Sequence, residues 1–217
     1  MEEKWPVVTF ILITINLAVF LFTWDISTNK IRDEVVNEFG LTPQYLAYRP
    51  YTLLTHMFLH ADIVHFGGNM LMLAIVGLVG EEKIGSFKFV LFYFLSGLCA
   101  VPFGFLMEFL TNTLVILLGA SGAIYGVMFL AATVAGWEEV PIILIPILNF
   151  IAAPIIFFTF KNIKVPMFVA ILFYFLLNFI MMFYNLPYSI GELAHFGGVI
   201  GGILGIYLIL PENFQQN

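Results

Sequence analysis

Long apolar stretches separated by short polar breaks run through the chain. A membrane-crossing helix needs about 20 apolar residues, and the pattern predicts the first over 6–24. The most polar stretch, 25–50, follows, with Asp25, Lys30, Arg32, Asp33, Glu34 and Glu38. Within it Ile31, Val35, Val36 and Phe39 fall near helical spacing, which suits an amphipathic helix on the membrane surface or, equally, a simple polar loop. The second span is expected over 63–80, closed by Glu81, Glu82 and Lys83, with a turn at Gly85. The third covers 86–109 and stops at Thr111, Asn112 and Thr113; the fourth covers 114–135 and stops at Gly136, Trp137, Glu138 and Glu139. The last covers 190–210 and ends at Pro211.

Residues 140–184 are nearly all apolar, interrupted by Lys161, Asn162 and Lys164. Hydropathy alone gives two segments there, 141–160 and 166–184. The first contains Pro141, Pro146, Asn149 and Pro154, and proline removes a helix hydrogen bond and kinks the helix. A re-entrant or interfacial path therefore stands beside a spanning one for 141–160.

Composition agrees with lipid as the solvent. Hydrophobic residues make up 61% and charged residues 10%, against about 25% charged in soluble domains. Mean hydropathy is +1.01. The net charge of −6 and only eight basic residues argue against a nucleic-acid partner. The lone Cys99 lies in an apolar run and implies neither an internal disulfide nor a thiolate metal site. The first apolar stretch is longer than a signal h-region and follows Met-Glu-Glu-Lys, so a retained helix is expected. With the N-terminus inside, inner segments carry Lys4, Lys83, Lys88, Lys161 and Lys164, and outer ones Lys30, Arg32 and Arg49, which favours cytoplasmic termini in a cell membrane. The expectation is an all-α, polytopic membrane bundle of six transmembrane helices in one domain, 1–217.

Candidate chemistry is sparse. Ser121 sits in Gly-Ala-Ser-Gly-Ala, which departs from the G-x-S-x-G elbow because Ala123 replaces the last glycine. Gly122 and Gly126 form a G-x-x-x-G face, so helix contact is the competing reading. His195 lies within a span, where an ionisable side chain is a functional candidate by default; its alternative is a histidine bonded to a neighbouring helix. Gly198 and Gly202 form another close-contact face, as do Gly197, Gly201 and Gly205. Two such faces would let Ser121 and His195 meet as a nucleophile–base dyad. Glu192 lies at the outer edge of its span, where a solvated role is expected rather than that of a third triad member. Tyr125, one turn after Ser121, could orient His195 or serve as an ordinary core aromatic. His65 and Asn69 share one helix face and could donate, with the Ser121 N–H, to an oxyanion. His56, His60 and His65 could alternatively bind a metal or lie at the interface, although no carboxylate or thiolate completes a metal site. No H-E-x-x-H motif occurs, and Asp25, Asp33 and Asp62 are all away from mid-span.

Taken in order, Leu53–Asn69, Glu81–Ser86, Gly119–Gly126 and Ala194–Gly202 resemble the rhomboid family of intramembrane serine proteases. The resemblance runs from about Pro50 to Gly205. It implies Ser121 as nucleophile, His195 as general base, and His65 and Asn69 as oxyanion donors. It implies that Gly119 and Ala120 shape the approach to the serine and that Tyr125 packs beneath His195. It further implies that Gly198 and Gly202 seat the last span on the fourth, and that Glu81 and Gly85 end the second. No cofactor or metal is expected; the substrates would be transmembrane proteins cleaved near the outer interface. A mobile fifth span, 168–183, and loop 184–190 would form the gate. The first loop departs from the family's Trp-Arg pair, with Tyr48-Arg49 or Tyr51-Thr52 in its place. If Ser121 and His195 start their helices on the same face, only an odd number of crossings can separate them. That predicts that 166–184 crosses and 141–160 does not. The alternatives are a catalytically silent, client-binding relative and a small transporter built around a broken helix at 141–160.

Overall fold

The computed structural model describes residues 5–141, 164–183 and 191–210. Helix α1 (Val7–Thr23) leads into a small antiparallel ribbon of β1 (Trp24–Asp25) and β2 (Lys30–Ile31), then α2 (Asp33–Phe39). A one-turn helix α3 (Thr52–Thr55) continues into a tight turn at His56–Phe58. Helix α4 (Ile63–Ile84) contains a wider π turn at Leu73–Gly77, and α5 (Ser86–Thr111) follows across Gly85. Helix α6 (Ser121–Ala135) is followed by β3 (Glu139–Pro141), which pairs antiparallel with β4 (Lys164–Pro166). Helices α7 (Met167–Phe183) and α8 (Glu192–Ile209) complete the described chain.

Helix α6 is the axis of the bundle. Residues Gly122 to Met128, with Leu130 and Ala131, are all buried, as expected of a helix that is apolar all round. Phe89, Phe92 and Tyr93 of α5, each fully buried, belong to the same core. The outer surface is apolar too: Phe22 and Leu21 on α1 and Leu208 on α8 are more than 60% exposed. Apolar patches on that scale suit lipid rather than water. Among the described helices, α4 and α5 are long and apolar enough to cross a membrane; α1, α6, α7 and α8 are apolar and shorter in their described parts.

Several expectations change. The second span does not stop at residue 80, because Glu81 is buried inside the bundle and the helix continues to Ile84. Its carboxylate accepts from the N–H groups of Val8 and Thr9 at 2.8 and 2.7 Å, from the Thr9 hydroxyl at 2.8 Å and from the Ser86 hydroxyl at 2.5 Å. The first N–H groups of a helix have no partner within it, so Glu81 caps α1 from a distance. The fourth apolar stretch is helical only from Ser121: Leu117 instead exchanges two backbone hydrogen bonds with Leu41, at 2.9 and 3.1 Å. In the polar stretch only Asp33–Phe39 is helical, while Ile31 is a buried strand residue. The first loop is held by Arg49, which pairs with Glu38 at 3.3 Å and donates to the Asn37 carbonyl at 2.5 Å. Tyr51 donates to the same Glu38 carboxylate at 2.6 Å. The expectations for 141–160 and for the loop 184–190 lie outside the described residues.

The direction of the helices follows from their ends. The N–H groups of Met167 and Phe168 donate to the carbonyls of Glu138 and Gly136 at 3.0 and 3.1 Å, so α7 starts where α6 stops. Residue 195, early in α8, meets residue 121 at the start of α6. Helices α6 and α8 thus run the same way, with α7 between them in the chain.

Glu81→Ala strands these donors in the bundle. It is expected to cost about 3 kcal/mol or more, seen as a fall of about 6–12 °C in the melting temperature of the detergent-solubilised protein. The neighbouring exposed Glu82, changed to alanine, should leave the melting temperature nearly unmoved.

Candidate active site

The site is assembled where three segments meet: the start of α6, the start of α8 and the entry to α4. Ser121 is the first residue of α6, and its Oγ lies 2.9 Å from His195 Nε2. This contact requires α8 to lie almost against the α6 backbone. A side-chain carbon at Gly198 would overlap the Gly122 carbonyl, and one at Gly202 would lie 2.9 Å from the Gly126 carbonyl. Glycine alone allows that approach. The stripe Gly197, Gly201 and Gly205 meets α5, against Cys99, Ser96 and Phe92.

Tyr125 lies flat under His195, with ring centroids 4.2 Å apart and planes within 8°. Phe175 and Tyr174 of α7 pack against the other parts of the tyrosine ring, at 5.3 and 5.8 Å. The imidazole is thereby held on its face by a stacked aromatic one helical turn after Ser121.

Gly119 turns the chain into α6. Its φ of +115° is strained for any side chain. A carbon there would also sit 2.9 Å from His65 Nε2 and 3.7 Å from Ser121 Oγ. His65 is thus directly across Gly119 from the serine. The Ala61 N–H donates to His65 Nδ1 at 3.3 Å. With Nδ1 an acceptor, the neutral ring carries its proton on Nε2, on the side facing Gly119. Asn69 is buried one turn later, and its amide donates to the His65 carbonyl at 2.8 Å. An amide nitrogen has a second N–H to give. A cavity of about 50 Å³ beside Ser121 is lined by Gly119, Gly122, Ala100, Gly97 and His56. It has room for water or a small side chain.

The two remaining histidines support the floor of the site. His56 Nδ1 bonds the Thr52 carbonyl at 2.7 Å, and the His56 carbonyl accepts from the Gly119 N–H at 2.8 Å. His60 is fully buried. Burial pushes the imidazole of His56 down to about 4 and that of His60 to about 3. Among the described residues no three His, Cys, Asp or Glu side chains gather as metal ligands would. Two participants escaped the sequence reading, the backbone amide of Ala61 and the carboxylate of Asp62, which caps α4 by accepting from the His65 N–H at 2.8 Å. Asp62 carried a usable signal, an Asp three residues ahead of a helical histidine; a backbone amide carries none.

The chain is similar in sequence to known proteins. The family description Rhomboid domain matches residues 47–212. The Rhomboid protease GluP of Bacillus subtilis (strain 168) is 30% identical over 123 residues, 56% of this chain and 23% of that protein. RHOMBOID-like protein 7 of Arabidopsis thaliana is 26% identical, over 76% of this chain and 45% of that protein. Rhomboid-related protein 1 of Caenorhabditis elegans is 24% identical, over 94% of this chain and 56% of that protein. The chain therefore spans about half or less of the length of the curated relatives it matches.

Two outcomes follow from the geometry. Gly198→Ala forces α8 off α6, and a displacement near 1 Å typically costs about 10²-fold in reaction rate. Labelling of Ser121 by a serine-directed fluorophosphonate should fall accordingly. The second concerns pH. The folded chain keeps His56 and His60 neutral below their ordinary value of 6.5, so it binds fewer protons than the unfolded chain there. Their contribution to stability is present above about pH 6.5 and is lost as pH falls towards 4 and 3. The melting temperature should drop between pH 7 and pH 4.5, with a shallower slope in His56→Asn.

Proposed function

Because the chain belongs to the rhomboid family, we propose that it is an intramembrane serine endopeptidase that cleaves transmembrane segments near the outer interface. The observation that carries this reading is the 2.9 Å contact between Ser121 Oγ and His195 Nε2. That distance lies within the range a base needs to take a hydroxyl proton. In this reading six helices cross the cell membrane, α1, α4, α5, α6, α7 and α8, with both termini in the cytoplasm. The whole of 1–217 forms one domain.

The steps follow from the side chains. A substrate helix enters laterally, past α7, and unwinds near the outer face. Ser121 Oγ attacks the exposed carbonyl carbon while its proton passes to His195 Nε2. The carbonyl oxygen becomes an oxyanion beside the start of α6, where the Ser121 N–H has no partner within the helix and the helix dipole favours negative charge. His65 Nε2–H and the free N–H of Asn69 complete the donor set. His195 then gives its proton to the leaving amine, and the acyl-enzyme forms. Water takes the place of the amine, His195 removes its proton, and the ester breaks to free Ser121. Tyr125 holds the imidazole through stacking, the place a carboxylate fills in the Ser-His-Asp arrangement. Gly119, Gly198 and Gly202 allow the close approaches. No cofactor takes part.

The test is cleavage of a tagged single-span reporter co-reconstituted in liposomes. Wild type should cleave it and Ser121→Ala should not, while His65→Ala should retain about 10⁻² to 10⁻³ of the rate. Equal cleavage by wild type and Ser121→Ala would refute the site. A folded wild type inert towards a panel of such reporters would favour the silent, client-binding alternative.

A further inference from the structure

Ahead of α4, the segment from His60 to Asp62 encloses His65. The Ala61 N–H reaches Nδ1, Asp62 holds the backbone N–H, and the His60 ring meets the His65 ring edge-on. The two centroids are 5.1 Å apart with planes at 64°. His60 also meets Phe66 edge-on, at 5.5 Å and 86°. Phe66 is stacked on Phe20 of α1 at 4.4 Å, and Phe20 on Trp24 at 5.2 Å. A run of rings thus connects the outer end of α1 to His65.

His60 has no exposed surface, and neither of its ring nitrogens meets a hydrogen-bond partner among the described residues. The Phe58 backbone favours the charged form of the ring, and burial outweighs it. An imidazole left unbonded in an interior is costly, so the position uses the ring for its shape and contacts. What that shape can do follows from the torsions of histidine. The terminal torsion of an imidazole is broad and has no sharp preferred value. The Ala61 bond to Nδ1 is long, at 3.3 Å, and fixes which nitrogen carries the proton more firmly than where the ring points.

We propose that His60 is a positioning residue for His65: its ring, itself packed against Phe66, fixes the rotation of the His65 imidazole so that Nε2–H faces Ser121. This rests on the reading of His65 as an oxyanion donor. Such a donor acts only if it is aimed before the charge develops, and a fully buried neighbour supplies that aim at no cost to the substrate. His60 touches neither substrate nor the reacting atoms; it acts through His65.

The experiment is a double-mutant cycle on the liposome reporter, with wild type, His60→Ala, His65→Ala and the double variant. Each protein is first checked for a monodisperse, cooperatively melting fold. His60→Ala should lower kcat about tenfold with KM unchanged, and should cause no further loss once His65 is alanine. If His60→Ala fails to fold, His60→Val fills more of the vacated space, and the same coupling is expected on a loss of about threefold. Equal losses in both backgrounds would make His60 merely structural and overturn the proposal, as would an unchanged kcat in folded His60→Ala. Full kcat in His65→Ala would instead sink the oxyanion role of His65, a different failure from additivity.

Discussion

Everything at the site depends on one backbone-to-backbone contact, the seating of α8 on α6 where Gly198 meets the Gly122 carbonyl. Helices normally pack at 8–10 Å between axes because side chains stand between them. Here there are none at Gly198 and Gly202, and the two helix starts come close enough for Ser121 and His195 to share a hydrogen bond. In lipid no hydrophobic force drives helices together, so close packing must supply the association. The glycines therefore provide both the attraction and the distance.

A second constraint is the treatment of non-helical backbone at the end of the bundle that carries Ser121 and His195. Groups that would be costly in hydrocarbon are paired one by one. Leu41 bonds Leu117, Gly119 bonds His56, and the Ile31 N–H donates to the Ala61 carbonyl at 2.8 Å. Each pairing also holds a residue of the site. The bond to Gly119 fixes the turn into α6, and the bond to Ala61 steadies the amide that sets the His65 tautomer. At the other end of the bundle Glu81 plays a comparable part, tying the start of α1 to the join of α4 and α5. Both regions convert a requirement of the solvent, that no backbone group stay unpaired, into rigidity.

Much of this was legible in the chain. The apolar runs marked α1, α4, α5, α7 and α8 to within a few residues at most ends. Helical spacing put Tyr125 on the serine's side, and the stacked rings have that relation. Small residues around Ser121 and His195 foretold close contact, and the two side chains do meet. What stayed hidden was polar or irregular. Glu81 reads as the end of a helix because a carboxylate in a run of apolar residues looks like an exit to water; its partners Val8 and Thr9 lie more than 70 positions away. Residues 114–120 read as helix because hydropathy cannot distinguish an apolar strand from an apolar helix, and only the bridge to Leu41 decides. Asn69 was legible as a donor, but its bond back to His65 was not, since that depends on a side-chain rotation.

The ribbon between β3 and β4 has a consequence for how such a chain can change. Pro141 stands beside Lys164, Val140 beside Val165 and Glu139 beside Pro166. Residues 141 and 164 are thus fixed side by side next to the end of α6, although the serine and histidine that meet are 74 positions apart. The ladder between β3 and β4, and not the number of residues that separates them, sets the place from which α7 departs. A ladder of this kind acts as a fixed hinge post: it makes the starting point of α7 a property of three paired residues on each strand.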